Sequence, residues 1–118
     1  MIGGAGIDTI NLSVDGARDT ILFDATAFSG VDTINSFLVG ATSASDVIDL
    51  SELFNVQNGT IANYAHMTGT ALEVDVDGTA NGANFVQIAT ITGFVDGSQT
   101  VSILYTDHGT DNTSGTIS

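Results

Sequence analysis

The chain has 118 residues, a 42% apolar fraction and no cysteine. That is enough for one hydrophobic core, and it excludes disulfides and thiolate metal sites. Fourteen acidic residues face a single cation, Arg18, for a net charge of −13, which repels nucleic-acid phosphates and anionic lipid headgroups.

Such a chain also repels itself unless counter-cations sit at defined places. Glu52 and Glu73 are the only glutamates, so the other twelve carboxylates are Asp, whose short reach suits ligation from tight turns. A merely solvated acidic surface is the alternative reading of the same composition.

In chain order, the first feature is Gly3-Gly4-Ala5-Gly6-Ile7-Asp8-Thr9-Ile10-Asn11. It fits the nonapeptide G-G-x-G-x-D-x-U-x at every specified position. Its glycines permit backbone angles closed to other residues, so carbonyl oxygens can turn toward one point. Asp8 adds a charged oxygen at the loop end, and Ile10 is the inward aliphatic residue. An all-oxygen donor set of this kind suits calcium better than magnesium or zinc.

Short runs rich in Ile, Val, Thr and Phe, punctuated by Gly, Asp, Asn and Ser, predict an all-β fold. The predicted strands are 8–12, 20–23, 33–39, 71–76, 85–91 and 100–105. Residues 71–77 alternate with period two. Asn58-Gly59 and Asn81-Gly82 are tight-turn signals. The only helical case lies in 43–56, where Ser51 could cap a turn through Phe54. Asp-Thr-Ile occurs at Asp8, Asp19 and Asp32, and Asp46-Val47-Ile48 is a fourth relative, at spacings of 11, 13 and 14 residues. Asp75-Val76-Asp77-Gly78 has the look of a cation loop, but the later Glu of an EF-hand is absent, so binding and plain turn-making both stay open there.

These motifs resemble the repeats-in-toxin (RTX) proteins exported by type I secretion. Residues 18–23 are similar to the strand that closes the calcium roll in that family. Residues 32–37 followed by 46–51 resemble its D-T-I-x-D-F…D-x-I-D-L-S segment, with Ser36 in place of a second Asp. Residues 72–78 and 85–91 resemble later strands of its C-terminal target domains, particularly those of large adhesins. The resemblance covers about residues 3–94. It implies a short calcium-bound parallel β-roll (1–35) passing into a β-sandwich-like cap (36–105), with at most one or two short helical turns. It assigns Ca2+ ligand roles to Gly4, Gly6 and Asp8, and to Asp32, Asp46 and Asp49; Asp19, Asp75 and Asp77 complete the candidate set. Asx-type turn capping is the competing role for every one of these aspartates.

Residues 106–118, rich in Thr, Ser, Gly, Asp and Asn, read by composition as a flexible tail and by resemblance as part of an uncleaved export signal. The expected parent is a secreted or cell-surface bacterial adhesin of the kind found in biofilms. The expected partners are a type I ABC exporter during export and surface or biofilm ligands. The chain is expected to be monomeric and not membrane-spanning, and to bind no nucleic acid. No H-E-x-x-H, G-x-S-x-G or phosphate-cradling loop occurs, His66 and His108 are isolated, and no enzyme is expected. A glycan-binding role, or service as the accessory tail of an exported protease or lipase, remains an alternative.

Overall fold

A computed structural model describes residues 6–12, 18–23, 30–40, 45–57, 60–78, 82, 84–95 and 97–118. Four short strands follow one another: β1 (Thr9–Asn11), β2 (Thr20–Leu22), β3 (Asp32–Asn35) and β4 (Val47–Asp49). β1 pairs in parallel with β3, and β2 with β4. The chain therefore alternates between two sheets, one strand in each, and each circuit lays a new rung beside the last. The Asp-x-Ile repeats are the strands of this parallel winding.

The parallel pairing does not stop at residue 35. β8 (Val86–Ile91) pairs in parallel with β3, and β9 (Val101–Asp107) pairs in parallel with β4, which adds a third circuit. Between the second and third circuits the chain makes an excursion. It runs through β5 (Asn55–Val56), a single 3-10 turn (Ile61–Asn63), β6 (Ala65–Thr68) and β7 (Ala71–Val74). β5 pairs with β9, while β6, β7 and β8 form an antiparallel meander. The final strand, β10 (Thr110–Ile117), folds back on β9. One sheet thus has the order β1-β3-β8-β7-β6 and the other β10-β9-β4-β2. Among the described residues the fold is all-β.

Isoleucine sets the register. Ile10, Ile34 and Ile91 stand side by side in the first sheet, and Ile21, Ile48 and Ile103 in the second. All six are buried. Removing β-branched side chains from water on the inner face of both sheets is the main drive for this winding. A one-residue slip would turn each Ile outward, so the repeat also fixes the pairing. The third circuit keeps Ile91 and Ile103 but has Ala89 and Val101 where earlier rungs carry Asp.

Two expectations are corrected. The helical case at 43–56 fails: its described part contains β4, β5 and a simple turn at 51–53. There the Asp49 carboxylate takes both the Ser51 N–H and hydroxyl, at 3.0 and 2.6 Å, so Ser51 is bound within the turn and caps no helix. The tail also fails to be loose. His108 and Gly109 both adopt positive φ, 48° and 81°, which makes the tight hairpin that returns the chain and buries Ile117. Polar composition misled here because β10 is an edge strand, with one face toward solvent. The Asn58-Gly59 signal lies outside the described residues.

Candidate functional site

The aspartates of the repeat occupy one structural position, at the entrance of each rung. The Asp32 carboxylate accepts the Asp8 N–H at 2.9 Å, and the Asp46 carboxylate accepts the Asp19 N–H at 2.8 Å. The other Asp46 oxygen takes the Leu38 N–H at 2.8 Å. Reciprocally, the Thr33 N–H reaches the Asp8 carbonyl and the Val47 N–H the Asp19 carbonyl, each at 2.8 Å. Asp32 and Asp46 are only 1% and 2% exposed. Such burial is tolerable because backbone N–H groups receive the charge. In this structure these two carboxylates tie successive rungs together, one in each sheet. Asn35 repeats the device on the exposed side: its amide donates to Asn11, and its oxygen accepts from the Thr92 hydroxyl.

The first loop differs. Gly6 has φ of +95°, a region that favours glycine. Gly30 sits one circuit later, packed against the Gly6 carbonyl so closely that a Cβ on Gly30 would lie 2.6 Å from that oxygen. The two Gly-x-Asp loops are therefore stacked in register. Asp8 Oδ2 is buried and accepts no hydrogen bond, and a buried carboxylate oxygen in that condition is a costly arrangement. A cation bound at this oxygen would remove the cost. An oxygen-only loop of carboxylate and backbone carbonyls fits calcium. Gly4 lies outside the described residues.

Asp75 and Asp77 form a second constellation, at the end of β7. Asp75 is 2% exposed, with one oxygen on the Asp77 N–H at 3.2 Å and the other on the Asn84 N–H at 2.7 Å. A side-chain hydrogen bond from Asp77, then the Asn84 and other backbone donors, hold the Asp75 carboxyl below its ordinary range despite burial. Gly78 turns the loop at φ +59°, where a Cβ would meet the Tyr64 ring at 2.5 Å. Among the described residues, no three His, Cys, Asp or Glu side chains gather at one point. The candidate ligands are brought together in pairs: Asp8 with Asp32, Asp19 with Asp46, and Asp75 with Asp77.

One polar cluster escaped the sequence reading. His66 and Glu73 are directly opposed on β6 and β7, with Nε2 and Oε1 2.7 Å apart. The Thr68 hydroxyl shares that oxygen at 2.7 Å, and the His66 ring stacks on Phe85 at 3.9 Å. Hydrogen bonds from Thr68 and then His66 hold Glu73 below its ordinary value. The findable signal was the hairpin itself: with Gly69-Thr70 as its turn, 66 and 73 are cross-strand partners. His108 serves the β9–β10 turn, with Nδ1 2.5 Å from the Asp107 carboxylate.

No protein-family model matches the chain, and no curated protein matches it. Among solved structures it is similar to one described as the C-terminal domain (RV) of MpAFP, at 15% identity over 99% of this chain and 96% of that one, with a TM-score of 0.38. A superposition that loose assigns neither fold nor function. No helix among the described residues is long and apolar enough to cross a membrane.

Proposed function

We propose that this chain is a calcium-stabilised folding module of a bacterial RTX-type adhesin, exported by a type I system and completed outside the cell. The observation that carries the proposal is Asp8 Oδ2, buried without a hydrogen bond at the end of a Gly-x-Asp loop stacked on its own repeat. The Asp8 carboxylate and the Gly6 carbonyl are the ligands assigned to the ion, with Gly4 supplied by the nonapeptide. Bound there, calcium contributes positive charge and accepts oxygen ligands at flexible angles.

The chain's own residues set the direction of the coupling. Where free calcium is scarce, a net charge of −13 opposes compaction and keeps the chain open for export. Outside, the ion binds only the folded loop and stabilises it by mass action. The Asp32 and Asp46 carboxylates then lock rung to rung through backbone N–H groups that exist in register only when the roll is wound. No catalytic step belongs to this reading.

The test is calorimetric titration of calcium into the wild-type chain and the Asp8→Asn and Asp46→Asn variants. Calcium should bind with an affinity on the order of 10⁻⁴ to 10⁻³ M. Binding should be lost in Asp8→Asn and kept in a folded Asp46→Asn. An Asp8→Asn chain that binds calcium as wild type does would overturn the assignment. Export is tested separately, by fusing the chain to a passenger in cells that carry a type I exporter and measuring passenger in the medium.

A further inference from the structure

The outer side of β6 is where the two sheets meet. β6 ends the first sheet, and the Met67 N–H donates across its outer side to the Ser118 oxygen, just past β10, at 3.3 Å. On its inner side β6 is held by β7, in a short ladder from Ala65 opposite Val74 to Thr68 opposite Ala71. An edge hairpin this short leans on its cross-strand side-chain pairs.

One such pair has its strength set by a proton. His66 Nε2 lies 2.7 Å from Glu73 Oε1, with the two side chains 31% and 25% exposed. The Thr68 hydroxyl donates to the same oxygen at 2.7 Å, which fixes the carboxylate against the hairpin. One face of the imidazole is covered by the Phe85 ring, with centroids 3.9 Å and planes 23° apart. A neutral imidazole gives Glu73 an ordinary hydrogen bond. An imidazolium gives a charge-assisted one, roughly twice as strong, and sets a cation over an aromatic face. Both neighbours of the ring therefore favour its charged form.

The surrounding charges do not cancel that preference. Gln87, the partner of Glu73 on β8, is neutral and donates to the Thr90 hydroxyl at 3.0 Å. Asp75, next outward on β7, is turned into its own loop with Asp77, its oxygens on the Asp77 and Asn84 N–H groups. In the 118-residue chain the Ser118 carboxyl lies at the β6 edge and stays ionised above about pH 5. Arg18, the one Lys or Arg of the chain, is held at the Ser45 carbonyl ahead of β2, in the other sheet.

We propose that His66 is a proton-operated fastener of this edge: mildly acidic surroundings tighten the β6–β7 hairpin and its seam with β10, and neutral surroundings loosen it. The fold prefers the protonated ring, so the added stability is present below the ordinary imidazole range of about 6.5 and is lost as the pH rises above it. Glu73 sets the acid limit. Its carboxyl is held below 4.5 by Thr68 and then His66, and once it is protonated the pair is gone. This goes beyond the calcium reading and does not rest on it.

The experiment is hydrogen exchange at the Met67 amide of the full chain, followed by NMR at fixed salt and calcium. Wild type, His66→Gln, Glu73→Gln and the double variant are compared at about pH 5.5 and about pH 8, on either side of the imidazole range. Comparing variants at one pH cancels the intrinsic exchange rate. At the lower pH the two groups should be coupled, protecting Met67 about 2–5-fold more than the single variants account for. At the higher pH the coupling should fall below about 2-fold, because only a neutral hydrogen bond is left. His108→Gln, which removes the other imidazole at the β9–β10 turn, should leave both values unchanged. Thr68→Val keeps the imidazole and should keep the pH dependence. The proposal is overturned by coupling that is equal at the two pH values or larger at the higher one. It is equally overturned by a pH dependence that survives in His66→Gln or vanishes in His108→Gln.

Discussion

Replacing Asp46 by alanine removes the carboxylate that joins two rungs of the second sheet and the segment before it. Its two oxygens accept the Asp19 and Leu38 N–H groups, both at 2.8 Å, in a residue 2% exposed. Leaving a buried donor unsatisfied costs about 1–3 kcal/mol, so two donors cost about 2–6 kcal/mol, less whatever water the vacated space admits. We expect about 3 kcal/mol. Unfolding entropy near 2.1 cal/mol/K per residue gives roughly 0.25 kcal/mol/K for this chain, so the melting temperature should fall by about 12 °C. Asp46→Asn keeps one acceptor and should fall about half as far. The assay is thermal unfolding by circular dichroism, run in calcium and in chelator. A carboxylate whose work is to receive backbone N–H groups gives the same loss in both. A change within about 0.5 kcal/mol of wild type, or a loss seen only in calcium, would refute the ladder role.

Gly30→Ala puts a Cβ 2.6 Å from the Gly6 carbonyl oxygen and 2.8 Å from its carbon. Backbone must move, so a loss of about 1–3 kcal/mol is expected in chemical denaturation, together with weakened calcium binding. Ile117→Ala should cost about 2–3 kcal/mol, measured the same way; a neutral result would restore the flexible-tail reading of residues 106–118. Glu73 is held below its ordinary value of 4.5 by Thr68 and then His66. Its carboxylate therefore contributes stability above that value and loses it as the pH falls through the lower folded value. The stability gap between wild type and Glu73→Gln should shrink as the pH drops below 4.5, and a gap that widens there would contradict the hydrogen-bond geometry.

The repeat made much of the fold legible. Asp-Thr-Ile at positions 8, 19 and 32 marked the first three rungs, because the inward Ile must recur wherever the chain re-enters a sheet; its relative at 46 is the fourth rung, in a stretch expected to belong to the cap and to hold the one helical case. The third circuit was hidden, since Ala89-Thr90-Ile91 and Val101-Ser102-Ile103 keep the isoleucine but drop the aspartate that made the kernel recognisable. The carboxylates at 32 and 46 reach back to the N–H groups of the preceding circuit, and Ala89 and Val101 leave that tie out of the third circuit. β6 and β10 were missed for a different reason. His66 and the Thr, Ser and Asn of β10 lie in strands at sheet edges, where weak apolar patterning is enough. The residue types of the candidate site were readable, but their partners were not. Nothing in the repeat kernel distinguishes Asp46, with both oxygens on backbone N–H groups 27 and 8 residues away, from Asp8, with one oxygen buried and unmatched, because those partners lie outside the kernel.

The central claim, that calcium completes the fold, is tested most directly by melting the chain in 10 mM calcium and in chelator. With a dissociation constant of about 10⁻⁴ to 10⁻³ M, one site contributes about 1.4–2.7 kcal/mol by mass action. The melting temperature should then rise by about 6–11 °C, and Asp8→Asn should show no rise. Identical melting curves with and without calcium would contradict the account.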